Sequence, residues 1–501
     1  MKKLNFILNL FFVLSLLSCK PAAQTAAFTS SSAADIINVK DFGAKADGIA
    51  NDYQPIQDAI RELHKRRSGV LFFPKGIYRV NEVFRQTELG KVLNGRSHFI
   101  FRGLKNITIR GEKGSVISIK GDFHKKVEWE IKERNAGYSY TQQISFIFND
   151  CKNITVENLE INGNVDKMTR KTKVTEGPSM GLLFGDAINE EYEKVTLRNL
   201  FIHHMATDGI CFKGKGGDVY GENLVLKNNG RCAMSIVQGK NMRFVNCDFS
   251  ETGLTGKYVS HAPNTGVDIE NESFTTIENI YFKRCRFAKN SNTQFVASGF
   301  NGIGAGRTTN VNLDSCYFEE NRATEEIHDR TVYITTDNST ITNSTIIGTL
   351  NFDVNGCITG GQPDKGVFVR NVIIKTKGPG IRINCDFKVR IENSTIEQMA
   401  NLDEKSAQEP FPHIIGGPNV TVDNNIFIYN SSNWRQGHES MKWDLNNYYL
   451  GGRSISGNTI KLKEEQGKKI PAGGVFMIML DKKHAGRNTI VGTDKIVFTG
   501  Y

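Results

Sequence analysis

The chain of 501 residues is poor in cysteine, proline and tryptophan, with 9 Cys, 11 Pro and 3 Trp. Nine cysteines in a chain of this length exclude a small fold held by disulfides. The sequence contains no Cys-x-x-Cys pair, which argues against a zinc site. Charged residues make up 23% and hydrophobic residues 39%, which excludes a disordered chain and a polytopic membrane protein. Glycine and asparagine are abundant instead, at 48 and 46 residues.

The N-terminus has the pattern of an export signal. Two lysines precede an apolar stretch from Leu4 to Leu17, which is too short to cross a bilayer comfortably. The four residues ending in Cys19 resemble a bacterial lipobox, and an ordinary signal peptide with an incidental cysteine is the alternative. We predict a signal peptide over residues 1–18, lipidation at Cys19, a flexible tether over 19–35 and a cell-envelope location, at the outer membrane or facing the periplasm.

One phrase recurs from about residue 100: a short strand of alternating apolar residues, an Asn or Cys, a second strand and a Gly. The matched residues Asn199, Asn223 and Asn246 are 24 and 23 residues apart. This period with alternation favours stacked parallel strands over a leucine-rich repeat, whose Leu-x-x-Leu-x-Leu frame is missing. We predict an all-β fold, a single-stranded right-handed parallel β-helix (solenoid) over residues 36–460, with closing strands over 461–501.

Two further features concern the ends and the interior of the predicted solenoid. Residues 36–80 are expected to cap the open end with a helix from about Gln54 to Lys65, which Asp52 would cap. The apolar stripe of that helix consists of Ile56, Ala59, Ile60 and Leu63. Three cysteines at a matched repeat position are predicted to stack inside as thiols: Cys247, Cys285 and Cys316.

The cap sequence resembles that of the pectate-lyase-like superfamily of right-handed β-helix proteins. The family phrase is matched at Val39, Asp41–Ala44, Asp47–Gly48, Asp52, Ile56–Gln57, Ala59–Ile60 and Phe73–Tyr78. With the repeats, the resemblance covers residues 36–460 and implies a carbohydrate-active protein. Hydrolases, lyases, epimerases and phage tailspikes share this cap, so it indicates fold more than chemistry. Structural turn and cap roles are expected for the two acidic residues of the phrase, Asp47 and Asp52.

Three aligned coil segments contain the candidate site. Alignment of residues 208–213, 232–237 and 265–270 places apolar residues inward and a polar set outward on one sheet face. The outward set is predicted to be Asp208, Cys211, Lys213, Ser235, Asp268 and Glu270, with Arg231 at the corner. Stacked carboxylates are unfavourable unless they hold something, so Asp268 and Glu270 are candidates for catalysis or for binding Ca²⁺. A solvated acidic strand, balanced by Lys213 and Arg231, is the alternative.

Proton-transfer groups also occur beside this face. The segment Gly253–Asn264 interrupts a coil and carries Lys257, Tyr258 and His261, which are candidates for substrate binding and acid–base catalysis. An earlier turn carries the pair His203–His204, and His204 is a candidate substrate contact. A histidine pair at a turn is also typical of a structural role.

The charge favours an anionic substrate. The net charge is +10, and removal of residues 1–18 with their two lysines would leave +8. We predict β-elimination on a uronate-containing polysaccharide or its oligosaccharides, by a lyase or a dehydratase. Arg231 or Lys213 would neutralise the carboxylate, and His261 or Tyr258 would act as base or acid. Ca²⁺ is the one cofactor the residues suggest; we expect a monomer, a membrane contact through the lipid anchor alone and no nucleic acid.

Two other functions stay open. A polygalacturonase-like hydrolase could use Asp208 with Asp268 as its two carboxyl groups. However, the sequence has Asn264-Thr-Gly, no Gly-His-Gly and Arg382-Ile-Asn384 where that branch has Asn-Thr-Asp, Gly-His-Gly and Arg-Ile-Lys; the Asp-Pro-His phrase of alginate epimerases is also missing. A non-catalytic glycan-binding β-helix is the second alternative, although Trp129, Trp434 and Trp443 lie outside the central repeats.

Overall fold

The fold is known from a computed structural model. It describes residues 36–81, 87–88, 91–92, 99–120, 144–167, 180–253, 263–272, 274–299, 306–320, 331–352, 365–376, 380–385, 387–399, 414–416, 419–430, 440–444, 454–463, 475–479, 486–491 and 496–498.

Two parallel sheets form the body of the described chain. The smaller sheet has 11 strands, with bounds Phe99–Arg102, Phe146–Asn149, Leu182–Phe184, Ile210–Phe212, Cys232–Ile236, Thr265–Glu270, Phe295–Ser298, Val332–Ile334, Leu350–Asn351, Ile381–Asn384 and Ile414–Gly416. Each strand pairs in parallel with the strand of the next coil, which is the arrangement of a parallel β-helix. The predicted all-β solenoid is therefore confirmed.

The larger sheet has 26 strands and forms the rest of each coil. Its strands are Ile36–Asn38, Gly69–Phe73, Gly76–Asn81, Lys105–Gly111, Ser115–Lys120, Cys151–Asn162, Glu191–His203, Lys215–Glu222, Val225–Lys227, Gly239–Val245, Asp248–Ser250, Thr276–Lys283, Arg286–Ala288, Arg307–Asp314, Tyr317–Glu319, Ser339–Thr342, Thr345–Ile347, Val367–Arg370, Ile373–Thr376, Val389–Glu392, Thr395–Gln398, Val420–Asp423, Ile426–Asn430, Ser454–Ser456, Thr459–Lys463 and Thr489–Val491. The last of them pairs in parallel with Thr459–Lys463.

The remaining described elements are short, apart from one helix. The α-helix spans Tyr53–Arg66, and 3-10 turns span Val39–Phe42 and Val165–Lys167. Three strands form a separate parallel sheet: Ser440–Asp444, Val475–Met479 and Ile496–Phe498. Two strands form an antiparallel pair: Thr87–Glu88 and Lys91–Val92.

Asparagines in the left-handed conformation bend the larger sheet at one corner of several coils. Asn158, Asn199 and Asn223 have φ values of 57°, 51° and 54°, a conformation that asparagine tolerates better than most residues. Their side chains are hydrogen-bonded from coil to coil: Asn199 donates to Asn158 at 2.9 Å, and Asn223 donates to Asn199 at 3.1 Å. The recurring Asn of the sequence repeat therefore marks a corner of the coil.

The core is a continuous stack of apolar side chains. All six aligned inward positions are fully buried, as predicted: Ile210, Phe212, Met234, Ile236, Val267 and Ile269. Phe148 stacks on Phe184 at 5.0 Å between ring centroids, and Phe184 stacks on Phe212 at 4.9 Å. The three matched cysteines are buried free thiols, which confirms the predicted interior ladder.

The cap also follows the prediction, with one correction. The predicted apolar stripe of the helix is buried. Asp52 precedes the helix, but its side chain does not cap it; the carboxylate accepts hydrogen bonds from the Lys45 and Ala46 amides at 2.7 and 3.1 Å. Asp47 accepts from the amides two and three residues further on, at 2.8 Å each. Both aspartates therefore hold the entry loop.

The corner asparagines yield a test of stability. Asn199→Ala removes the two side-chain hydrogen bonds and places a less tolerant residue at positive φ, so we expect a loss of about 1–2 kcal/mol. Asn199→Gly removes the same hydrogen bonds but suits the backbone, so its loss should be smaller. Thermal unfolding measures both, with the exposed loop variant Asn189→Ala as control. Equal losses for the two Asn199 variants would contradict the role of backbone conformation.

Candidate functional site

The outward-facing residues of the smaller sheet form a row that runs from coil to coil. Cys211 pairs with Ser235, and Ser235 pairs with Asp268, as the sequence alignment predicts. The three preceding members of the row are apolar: Ile100, Ile147 and Leu183. The row therefore changes from apolar to polar at Ser235, in the middle of the region that we singled out from the sequence.

Asp208 differs from its predicted outward position. It is fully buried and lies two residues before the inward Ile210, so the alternation that places Cys211 outward does not place Asp208 there. Arg231 donates to both carboxylate oxygens of Asp208, from Nε at 2.8 Å and from Nη2 at 2.6 Å. Ser235 donates its hydroxyl to Asp208 at 2.6 Å. The carboxylate is thus held by three donors from the next coil.

Arg231 forms one half of a buried ion pair. Its side chain is 13% exposed, against 0% for Asp208. Burial alone would lower the pKa of Arg231, but the charge and hydrogen bonds of Asp208 raise it well above its ordinary value. The guanidinium therefore stays charged, and its charge is balanced by Asp208. This geometry makes Arg231 a positioning residue, because it holds the Asp208 carboxylate in place beside the candidate face.

The carboxylates of strand Thr265–Glu270 differ in exposure. Asp268 is 6% exposed, whereas Glu270 is exposed at the end of the strand. Lys213 is half-buried, directly after strand Ile210–Phe212, and the strand register places it and Glu270 on one outward row. Burial raises the pKa of the Cys211 thiol to about 12, so this cysteine carries no thiolate at neutral pH. Lys213, Asp268 and Glu270 thus share one face.

The predicted Ca²⁺ site rests on two of these side chains. Within the described ranges, no group of three or more His, Cys, Asp or Glu side chains has the geometry to hold a metal ion. Asp268 and Glu270 offer oxygen ligands of the kind that Ca²⁺ prefers. Ca²⁺ at this place stays a prediction.

His204 directly follows strand Glu191–His203 of the larger sheet. Nδ1 of His204 is 2.6 Å from Nδ1 of His203, so one ring donates a hydrogen bond to the other. His203 also contacts Glu160 through Nε2 at 3.2 Å and stacks on Phe201. Burial lowers the pKa of both imidazoles, which keeps them neutral at pH 7. The chain continues from His204 through three residues to Asp208.

Several predicted residues lie outside the described ranges. These are Lys257, Tyr258 and His261 of the interrupting segment, and Cys19 with the preceding signal sequence. Their roles stay predictions. In the part of the chain that the structure describes, no helix has the length and apolar character needed to span a membrane.

Sequence reasoning missed the continuation of the outward row. Beyond Asp268 the strand register adds Val296, Tyr333, Asn351 and Arg382. Tyr333 and Arg382 are half-buried, and a hydroxyl and a guanidinium on this face are groups that can contact an acidic sugar. Extending the same alternation frame into the later coils would have found them.

A carboxyl pair next to the smaller sheet was also missed. The Asp186 amide donates to Glu190 at 3.2 Å and to Asn149 at 3.1 Å, and Arg102 pairs with Glu190 at 2.8 Å. Burial, then the hydrogen bond and charge of Asp186, raise the pKa of Glu190 to about 7, with Arg102 opposing. The residues lie in the turn after strand Leu182–Phe184, where no repeat pattern marks them.

Comparison with known families agrees with this architecture. The model of the family described as "Rhamnogalacturonase A/epimerase, pectate lyase-like" matches residues 36–292, about half of the chain. The chain belongs to this family. The match contains the cap and the coils with Asp208, Arg231, Ser235 and Asp268, so the candidate face lies within the family region.

Curated relatives are distant and much longer than the aligned region. Alginate lyase 7 of Azotobacter vinelandii is 27% identical over 210 residues, which is 40% of this chain and 23% of that protein. Mannuronan C5-epimerase AlgE1 of the same organism is 25% identical over 226 residues, which is 41% of this chain and 14% of that protein. The chain thus spans less than a quarter of either relative.

Two solved structures are similar to this chain at low sequence identity. The N-terminal fragment of bacteriophage Phi29 gene product 12 has a TM-score of 0.54 at 12% identity, covering 93% of this chain and 72% of that one. The A-module of mannuronan C-5 epimerase AlgE6 of Azotobacter vinelandii has a TM-score of 0.40 at 15% identity, covering 92% and 98%.

The buried ion pair gives a second test of stability. Arg231→Ala leaves Asp208 buried without its counter-charge, so we expect a loss of about 3–5 kcal/mol in unfolding free energy. The double variant Asp208→Asn with Arg231→Met removes both charges and should lose less. Arg61→Ala, from an exposed pair on the helix, should change stability by about 1 kcal/mol or less. A loss for Arg231→Ala as small as that control would contradict the buried pair.

The carboxyl pair predicts a dependence of stability on pH. The folded-state pKa of Glu190, about 7, lies above its ordinary value of 4.5, so its stabilising contribution is present below pH 4.5 and is lost as the pH rises through 7. Glu190→Gln cannot ionise, so its thermal midpoint should rise relative to the parent protein between these pH values. Asp186→Asn should move the transition to lower pH. A gap between parent and Glu190→Gln that is independent of pH would contradict the raised pKa.

Proposed function

We propose that the protein binds a uronate-containing polysaccharide, or its oligosaccharides, across the outward face of the smaller sheet and cleaves it by β-elimination. The observation that carries the proposal is a pair of polar register partners, Ser235 and Asp268, in an outward row whose earlier members are apolar. The relatives support the substrate class, because their names assign them to alginate and mannuronan.

The chemistry needs three functions around one sugar. A base removes the C5 proton, the C–H electrons form the C4–C5 double bond, and the C4–O bond breaks as the leaving oxygen takes a proton. A positive group beside the uronate carboxylate stabilises the charge that develops when C5 loses its proton. Epimerisation at C5 shares the first of these steps, which is consistent with the relationship to both an alginate lyase and mannuronan C5-epimerases.

The described residues account for two of these three functions. Asp268 is the carboxylate on the outward row, so we assign it the removal of the C5 proton. Lys213 lies on the neighbouring row and would neutralise the uronate carboxylate. Asp208 and Arg231 hold each other and orient Ser235 beside Asp268. Tyr258 or His261 would supply the proton for the leaving oxygen.

The alternatives differ from this proposal in the role of Asp208 or in the product that is released. An inverting hydrolase would use two carboxyl groups, one of them protonated. Asp208 is fully buried and held by three donors, which favours its role as a fixed anion over that of a proton donor. A glycan-binding protein would bind the same oligosaccharides and release no product, and a dehydratase would lose a hydroxyl in place of a sugar.

Asp268→Asn tests the proposal directly. We expect the rate on alginate, polymannuronate or polygalacturonate to fall about 10²–10⁴-fold, measured by the ultraviolet absorbance of the unsaturated uronate. Asp218→Asn, an exposed aspartate on the larger sheet, should leave the rate unchanged. Loss of activity in EDTA that Ca²⁺ restores would move Asp268 from proton transfer to metal binding. Saturated products, or binding without product, would overturn β-elimination in favour of a hydrolase or a binding protein.

A further inference from the structure

Phe274 combines exposure with an unfavourable backbone conformation. Its side chain is 77% exposed, more than any other large hydrophobic residue in the described ranges. Its φ is +71°, and it is the only Phe, Tyr or Trp with positive φ among the described residues. Single exposed hydrophobic residues are ordinary on a protein surface. A bulky residue with positive φ is not, because Cβ crowds the following carbonyl.

A closed turn holds this conformation in place. The Thr275 amide donates to the Glu272 carbonyl at 2.9 Å, the hydrogen bond that closes a four-residue turn with Phe274 in its third position. The Thr275 hydroxyl contacts two carbonyl oxygens at 2.9 Å, those of Glu272 and of Val237 in the preceding coil. Glycine or asparagine normally occupies a turn position with positive φ. This chain has a phenylalanine there, directed into solvent.

The turn lies at the edge of the candidate face. It follows strand Thr265–Glu270, so Phe274 comes six residues after Asp268 and four after Glu270. Val237, which Thr275 contacts, lies between Lys213 and Glu270 on the second outward row. The backbone of the turn that carries Phe274 is therefore held beside the row that carries the lysine and the exposed glutamate.

A strained residue persists where the surrounding structure holds it, and such residues cluster at binding sites. Phe274 gains no burial that would offset its strain, since its side chain is exposed. We infer that Phe274 is a stacking residue for a sugar ring at the edge of the candidate face. A pyranose ring presents C–H groups on its faces, and these pack on the electron-rich face of an aromatic ring. The inference rests on the proposed function for the identity of the sugar.

The position assigns Phe274 to binding. The ring would hold a sugar next to the one whose bond breaks. Lys213 would contact the carboxylate of the bound uronate, and Glu270 would accept hydrogen bonds from its hydroxyl groups. Loss of the ring should therefore weaken binding and leave the chemical step intact. This separates Phe274 from Asp268, whose replacement should lower the turnover rate.

The test compares Phe274→Gly with Phe274→Trp in the full chain. Binding of mannuronate, guluronate and galacturonate oligomers of defined length is measured by calorimetry, and KM and kcat are measured where turnover occurs. We expect Phe274→Gly to raise Kd and KM about tenfold with kcat unchanged, and Phe274→Trp to retain affinity. Phe274→Gly should also raise the thermal midpoint, because glycine suits the backbone.

Arg67→Gly is the matched control. Arg67 has a φ of 67° at the end of the cap helix, so glycine relieves the same kind of strain far along the chain from the candidate face. It should raise the thermal midpoint and leave affinity unchanged. If Phe274→Gly also leaves affinity unchanged, the stacking role is overturned.

The panel of ligands separates this inference from the proposed function. Neutral xylan and cellulose oligomers are included beside the uronates. Binding of neutral oligomers alone, weakened by Phe274→Gly, would overturn the uronate substrate and support stacking. If the wild-type protein binds neither kind of oligomer, both proposals are overturned. Uronate binding that depends on Asp268 and Lys213 but not on Phe274 would overturn stacking alone.

Discussion

The rest of the structure depends on the register between successive coils. Parallel strands of neighbouring coils lie about 4.8 Å apart, so a residue in one coil meets its equivalent in the next at every position. Residues with positive φ, most of them asparagines, fix where the coils bend, and the amides of Asn199 and Asn223 join one bend to the next. Because this corner sets which residues are in register, it also determines the phenylalanine stacks of the interior and the outward rows.

At the candidate site, the side chains of the outward row depart from the regular coil repeat. An outward row of a β-helix is a line of like side chains, and stacked carboxylates would repel one another. Here Asp208 is withdrawn into the corner and neutralised by Arg231, while Ser235 links that pair to the outward row. Asp268 then follows as a single carboxylate on that row in the next coil. Spacing charged groups across coils in this way lets the outward row carry a carboxylate without a stack of equal charges.

Period and alternation were sufficient to predict the fold, because each coil repeats the same local chemistry. The alignment of three coil segments predicted the pairing of Cys211, Ser235 and Asp268, alternation predicted the inward positions, and the structure confirms both. The outward assignment of Asp208 was wrong, because this residue lies two positions before the inward Ile210 and its carboxylate is held by donors from the next coil. Alternation could not find Glu190 or Phe274, since both lie in turns that hydrogen bonds tie to other coils: the Asp186 amide donates to Asn149, and the Thr275 hydroxyl donates to the Val237 carbonyl.

The strand register of the smaller sheet holds over very unequal stretches of chain. Val332 and Leu350 are register partners only 18 residues apart, whereas Phe99 and Phe146 are partners 47 residues apart. Residues can therefore be gained or lost between partners without displacing any strand of the stack. Such a scaffold can be refitted to a new ligand by exchanging the segments between its strands, while the interior is inherited unchanged. Specificity and stability are then encoded in separate stretches of sequence and can diverge at different rates.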